Sequence, residues 1–127
     1  MIKQLDHLVL TVTNLDRTCD FYTRVLGMKE VVFGNGRRAL HFGNQKINLH
    51  EKGKEFEPKA QFPTNGSADL CFITDWPLFE VINHLKNCQV DIIEGPVKRT
   101  GAVGPIESVY VRDPDGNLIE ISNYDIS

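Results

Sequence analysis

The sequence predicts an α+β fold built from two βαβββ repeats that together form a cup-shaped, partly open eight-stranded mixed sheet. Three observations carry this expectation. Short segments alternate apolar and polar residues with the two-residue period of half-buried strands. Each half of the chain holds one segment whose apolar residues fall at helical spacing. The order of elements in residues 1–51 then recurs in residues 68–127, after a polar stretch at 52–67 that holds Pro58 and Pro63 and reads as a linker. An internal repeat of this kind makes the whole chain, residues 1–127, one domain of two similar units.

In order, the first strand is expected within Leu5–Val12, with His7, Val9 and Thr11 on one face and Leu8, Leu10 and Val12 on the other. Asn14 offers an N-cap to a helix carrying Leu15, Cys19, Tyr22 and Leu26, which Gly27 ends. Met28–Phe33 and Arg38–Phe42 read as strands joined by Gly34-Asn35-Gly36, and Lys46–His50 follows the turn Gly43-Asn44. In the second half, Ala68–Ile73 opens with a strand. Asp75 reads as the cap of a helix with Pro77 in its first turn and Leu78, Val81, Ile82 and Leu85 as its stripe. Val90–Ile93 is expected as the next strand, and the glycine- and proline-rich residues 94–107 as a mobile loop able to gate a site. Ser108–Val111 and Leu118–Ser122 close the unit. Between them, Asp113-Pro114-Asp115-Gly116-Asn117 is a tight turn in which Pro114 fixes φ and Gly116 can take positive φ without steric cost.

Composition narrows the function classes. The 127 residues are 41% hydrophobic and 24% charged, ordinary values for a globular domain. A net charge of −3 with no basic run argues against a nucleic-acid partner. No apolar run is long enough to span a bilayer, so no membrane partner is expected. The chain enters a strand almost at once, leaving no room for a signal peptide. Cys19, Cys71 and Cys88 stand far apart without a CxxC pair, which speaks for a reduced, cytoplasmic protein rather than a disulfide framework or zinc knuckle.

Residues able to do chemistry recur at matching places in the two repeats. Glu120 lies between Ile119 and Ile121, so its carboxylate projects from the strand face opposite theirs and, if enclosed, needs a cation or a proton. His7 on the first strand of one repeat corresponds to Asp69 on the first strand of the other. Asn48 on the last strand corresponds to Glu120, and His50 shares the face of Asn48. Thr11 and Cys71 lie on the faces of His7 and Asp69. Lys98 and Arg99 sit where a closing loop could bring them onto an anionic ligand.

Asp6-His7-Leu8-Val9-Leu10-Thr11-Val12, Phe21-Tyr22 with Leu26-Gly27-Met28, and Asp113-Pro114-Asp115-Gly116-Asn117 through Glu120 give the chain a resemblance to a known superfamily over nearly its whole length. It resembles the vicinal oxygen chelate superfamily, which includes glyoxalase I, extradiol dioxygenases, fosfomycin-resistance enzymes and bleomycin-binding proteins. The run from Gly43 to Glu51, with Lys54-Glu55-Phe56-Glu57-Pro58-Lys59, is most similar to its branch of short glyoxalase-domain-containing proteins, human and bacterial. The resemblance implies a divalent transition metal held by His7, Glu120, Asp69 and either Asn48 or His50. Asp69 stands where the family commonly has histidine, and Asn48 where glyoxalase I has glutamate. A mixed imidazole and carboxylate set suits zinc, nickel, cobalt, manganese or iron, while Asp69 weakens a two-histidine, one-carboxylate iron site.

The activity this implies is a glyoxalase-like lyase or isomerase acting on a small oxygenated metabolite through two adjacent oxygens, with Glu120 as the catalytic proton carrier. Asn48, Thr11, Cys71, Lys98 and Arg99 would contact the substrate. A toxin- or antibiotic-binding protein without turnover and an iron-dependent extradiol-type dioxygenase are the alternatives. Relatives of this length also imply a homodimer with active sites shared between chains. Each residue has a plainer reading as well: His7 as an edge histidine, Glu120 as the ion-pair partner of Arg112 or Lys46, Asp69 as a strand-end cap, His50 as a solvated side chain, Cys71 as a small core residue, and Lys98 with Arg99 as a solvated loop.

Overall fold

The structure, a computed structural model, describes residues 1–124. Its elements run β1 (His7–Val12), α1 (Leu15–Arg24), β2 (Lys29–Phe33), β3 (Arg37–Phe42), β4 (Gln45–Glu51), β5 (Asp69–Ile73), α2 (Leu78–Asn87), β6 (Glu94–Thr100), β7 (Pro105–Arg112) and β8 (Leu118–Asn123). The eight strands fall into two four-stranded sheets, ordered β1-β4-β3-β2 and β5-β8-β7-β6. In each, the first strand of the repeat pairs parallel with the last, and the remaining pairs are antiparallel. Two compact units result, Met1–Ser67 and Ala68–Ser127, each a βαβββ repeat.

In the first unit, one sheet face buries Leu10, Val12, Leu40, Ile47 and Leu49 with Cys19, Phe21 and Tyr22 of α1. Asn14 caps this helix as expected, its side chain accepting from Arg17 N at 2.9 Å. Arg38 fixes the helix to the sheet by donating to Asp16 of α1 at 2.8 Å and to Glu30 of β2 at 2.9 Å. Burial pushes the nearby Cys19 thiol up to about 11, so it serves as packing rather than as a nucleophile. The second unit buries Val109, Val111, Ile119 and Ile121 with Leu78, Val81 and Leu85 of α2.

Three expectations change. Pro77, not Asp75, occupies the N-cap of α2, and no side chain caps that helix. Residues 90–93 form no strand, and residues 94–107 are not a free loop: β6 and β7 pair as a hairpin around residues 101–104, closed by Gly101 N donating to Gly104 O at 2.7 Å. The glycine and proline that suggested a loop lie at a register shift between Glu94 and Val97, where a bulge absorbs them. A Cβ at Gly95 would meet Ser108 O at 2.5 Å and Val109 Cα at 2.9 Å, so glycine lets the two strands approach. Finally, residues 52–67 belong to the first unit, where Pro58, Lys59 and Ala60 lie over Val9, Thr11 and His50.

The turn after β7 is a clasp. Asp113 Oδ1 accepts from the backbone N–H groups of Asp115 and Asn117, both at 2.9 Å, and Oδ2 accepts from the Asn117 side-chain amide at 2.8 Å. Asn117 Oδ1 in turn accepts from Ala68 N at 2.8 Å, while Leu118 N donates to Ala68 O at 3.0 Å. Both side chains are buried, so each bond satisfies a group that water cannot reach. Gly116, at φ +88°, supplies the reversal. Removing the amide in Asn117→Ala strands part of a buried carboxylate and the Ala68 N–H, which should cost about 2–4 kcal/mol. Urea unfolding should show a lower midpoint at an unchanged m-value; an unaltered midpoint would deny the clasp its structural role.

Candidate functional site

In the second unit, register brings Cys71, Glu120 and Tyr110 onto one rung, because Cys71 pairs with Glu120 and Glu120 with Tyr110. The next rung places Ser108 opposite Ser122. Both serines are fully buried, so their hydroxyls need internal partners. Ser108 Oγ donates to Glu120 Oε2 at 2.5 Å and lies 2.6 Å from Ser122 Oγ, which is itself 3.4 Å from the same carboxylate oxygen. Cys71 Sγ lies 3.3 Å from Ser122 Oγ. With one proton per hydroxyl, the bonds run from Cys71 through Ser122 and Ser108 to the carboxylate, and they fix its orientation by one oxygen. Although the residue as a whole is exposed, loss of solvent around the sulfur on its Ser122 side, and then the Glu120 charge, push the Cys71 thiol up, so it is a poor nucleophile there. Glu120 makes no ion pair with Arg112 or Lys46 among the described residues. Cys71 is an exposed residue, not the small core side chain that composition allows.

Glu120 and Cys71 line a cavity of about 360 Å³ with Ile73, Arg99 and Tyr124. Arg99 donates to Tyr110 OH at 3.0 Å and to Glu94 at 3.1 Å, and its guanidinium lies 5.5 Å from the centre of the Tyr110 ring. Lys98, one residue earlier on a strand, takes the other face and lines a separate groove of about 810 Å³ beside Leu78 and Phe79 of α2. The two cations therefore do not converge on one ligand. Asp69, exposed at the start of β5, shares the face of Cys71 and lies diagonally across from Glu120.

The first unit repeats this register. His7 pairs with Lys46, Val9 with Asn48 and Thr11 with His50, so His7 and Asn48 form the diagonal that Asp69 and Glu120 form in the second unit. His7 is half-exposed, its Nδ1 2.8 Å from Asp6 Oδ2, so Nε2 is the ring nitrogen open to a ligand. Asn48 is buried and its Oδ1 has no hydrogen-bond partner. His50 does not join His7. Its strand partner, Thr11, is four residues along β1, about 13 Å away at a strand's rise, too far for one metal. Nor is His50 solvated: it is 3% exposed, its ring is edge-on to Phe56 at 5.6 Å between centroids, and its Nε2 is unpartnered. Burial, reinforced by Arg37, holds its pKa below the usual range and keeps the ring neutral.

No three His, Cys, Asp or Glu side chains gather as a metal cluster among the described residues. Each unit instead offers two donors on the matching diagonal. Taken unit by unit, His7 with Asn48 and Asp69 with Glu120 offer imidazole, amide and carboxylate donors of the kind divalent transition metals accept, and the Asn48 amide oxygen is buried and unsatisfied. Sequence reasoning missed Ser108, Tyr110 and Tyr124. Ser108 and Tyr110 fall within the expected strand Ser108–Val111, but only its register against β8, Ser108 with Ser122 and Tyr110 with Glu120, puts them on the face of Glu120.

Three relatives frame this geometry. The chain is 61% identical to a glyoxalase domain-containing protein of Mycosarcoma maydis, covering 97% of this chain and 69% of that protein. It is 57% identical to a virulence protein of Salmonella typhimurium over 98% of this chain and 86% of that one. The crystal structure of that protein superposes with a TM-score of 0.96, covering 98% of each chain. A metallothiol transferase of Staphylococcus haemolyticus is 26% identical over 95% of this chain and 84% of its own. The family model described as Glyoxalase/Bleomycin resistance protein/Dioxygenase superfamily matches residues 4–121. The chain belongs to the glyoxalase/bleomycin resistance protein/dioxygenase superfamily.

Proposed function

We propose that this chain is a metal-dependent enzyme of the glyoxalase type, a lyase or isomerase acting on a small metabolite with two adjacent oxygens. The observation that carries the reading is Glu120, a carboxylate steadied by two buried serine hydroxyls and facing a cavity of about 360 Å³. His7, Asn48, Asp69 and Glu120 are the proposed ligands; His50 is left out because of its distance from His7 along the sheet. A divalent metal held by these residues would supply Lewis-acid chemistry toward the two substrate oxygens.

The chain's own groups do the rest. Glu120 takes a proton from the carbon beside those oxygens and returns it to the neighbouring carbon, using the carboxylate oxygen that the serines leave available. Ser108 and Ser122 keep that carboxylate from swinging toward solvent. Arg99, anchored by Tyr110 and Glu94, presents a cation at the cavity wall for an anionic substituent. A single imidazole in the ligand set disfavours the dioxygenase alternative, which uses two. The test is turnover of hemithioacetals formed from 2-oxoaldehydes and a panel of thiols by metal-loaded protein. Stoichiometric binding of these adducts without turnover would point instead to the binding-protein alternative.

Three further outcomes follow. Glu120→Ala should lose its metal, read by elemental analysis of protein purified without chelators; wild-type metal content would remove Glu120 from the ligand set. Ser108→Ala should weaken metal binding about 10–100-fold, the usual effect of losing a group that orients a ligand, and Ser108→Thr should restore it. Equal affinity in the alanine variant would make Ser108 packing alone.

We also propose a homodimer in which His7 of one subunit and Glu120 of its partner serve the same metal. His7→Ala and Glu120→Ala, each deficient alone, should then recover roughly a quarter of sites after unfolding and refolding together, because half the dimers are mixed and each has one intact site. No recovery from demonstrably mixed dimers would show that each chain builds its own site.

A further inference from the structure

The first sheet carries a second unexplained feature, at the opposite end of β1 from His7. His50 is 97% buried by its 3% exposure, and its Nε2 finds no partner in the protein. Thr11, its neighbour across the strands, is also buried. Both line a cavity of about 380 Å³ under residues 58–63, walled mainly by Val9, Pro58, Ala60 and Pro63. This segment is pinned as a roof. Phe56 packs on His50, Arg37 lies with its guanidinium 4.6 Å from the Phe56 ring centre and 5.2 Å from that of Phe33, and Lys59 meets Glu57 at 3.4 Å and Glu55 at 3.8 Å.

An apolar chamber of a few hundred Å³ with a few converging polar groups has the make-up of a small-ligand pocket. The polar groups also choose the ligand's head. Lys59 can only donate, the Thr11 hydroxyl can donate, and the unpartnered His50 nitrogen can donate in the matching tautomer. Three donors and no carboxylate on the cavity wall call for a group that only accepts. Arg37, next to His50 and without an ion-pair partner among the described residues, adds a positive field from behind that exceeds the opposing charge of Glu55. The Lys59 contacts with Glu55 and Glu57 are long enough to leave a donor available for a third acceptor.

We infer that this roofed cavity is a ligand pocket for a small monocarboxylate with a compact apolar body, whose carboxylate meets Lys59, Thr11 and His50 while its body rests on Val9, Ala60 and Pro63. The inference rests on the proposed function and deepens it, since Thr11 is among its expected substrate contacts and lies on the face that carries His7 and Asn48, although none of the pocket residues is a proposed metal ligand. Binding is therefore measured with EDTA present, so that a failed metal site and a failed pocket give separate results.

The probe is isovalerate, with isovaleramide as the uncharged isostere, titrated into the isotopically labelled full chain and followed by NMR. Isovalerate should give saturable shifts centred on the His50 ring and the Thr11 and Ala60 amides, and isovaleramide should bind at least tenfold more weakly. Thr11→Val and Lys59→Met, which keep the bulk of each side chain, should each weaken isovalerate about tenfold, the loss expected for one hydrogen bond to a charged group. The inference is overturned by the absence of saturation up to about 10 mM, beyond the millimolar range of weak small-ligand sites. Equal binding of the amide, or unchanged affinity in both folded variants, overturns it as well.

Discussion

The buried carboxylate of Asp113 is the constraint on which the second unit depends. It accepts three hydrogen bonds within the turn, and through the Asn117 amide it fixes the backbone of Ala68, where β5 begins. That single connection sets β5 parallel to β8 in the register that faces Cys71 with Glu120. A slip of one residue would carry Glu120 to the helix-covered face, where Ile119 and Ile121 now pack and a carboxylate has no partner. The geometry of the turn and the placement of the candidate catalytic group are therefore one physical problem. Gly116 solves its backbone half and Asn117 its hydrogen-bonding half.

The same register logic explains what each unit contributes. Parallel pairing of first and last strands produces one diagonal per unit, His7 with Asn48 and Asp69 with Glu120. The diagonals differ in how they are supported. Glu120 is held by a chain of buried hydroxyls, whereas Asn48 presents an unsatisfied oxygen and His7 is oriented by Asp6 from the solvent side. His50, chemically the most attractive ligand on the first sheet, is excluded by distance along the strand and is instead enclosed with Phe56 and Arg37.

Much of this was legible in the residues. Alternation located β1, β4, β5 and β8, and the Asn14 cap and Gly27 bounded α1, because these signals arise from local geometry that tertiary packing did not override. The paired places of His7 and Asp69, and of Asn48 and Glu120, followed from the repeat. The failures share a cause. Gly95 and Pro96 resemble loop punctuation, yet a strand bulge uses them, since close approach to Ser108 demands a residue without a side chain. Residues 52–67 look polar and unattached, but Phe56 binds them to the sheet through His50 and Arg37, contacts that sequence spacing does not encode. The separation of Lys98 from Arg99 became visible only once they were seen to lie in a strand rather than a loop, and the role of Ser108 only once the register set it opposite Ser122, beside Glu120.

The central claim is the ligand set, and X-ray absorption at the edge of the bound metal tests it most directly. Protein loaded with one equivalent of a divalent transition metal should show a single imidazole with otherwise oxygen neighbours and no sulfur, as expected for His7, Asn48, Asp69 and Glu120. Two or more imidazoles would return His50 to the site, and a sulfur neighbour would place Cys71 there; either result would contradict the account.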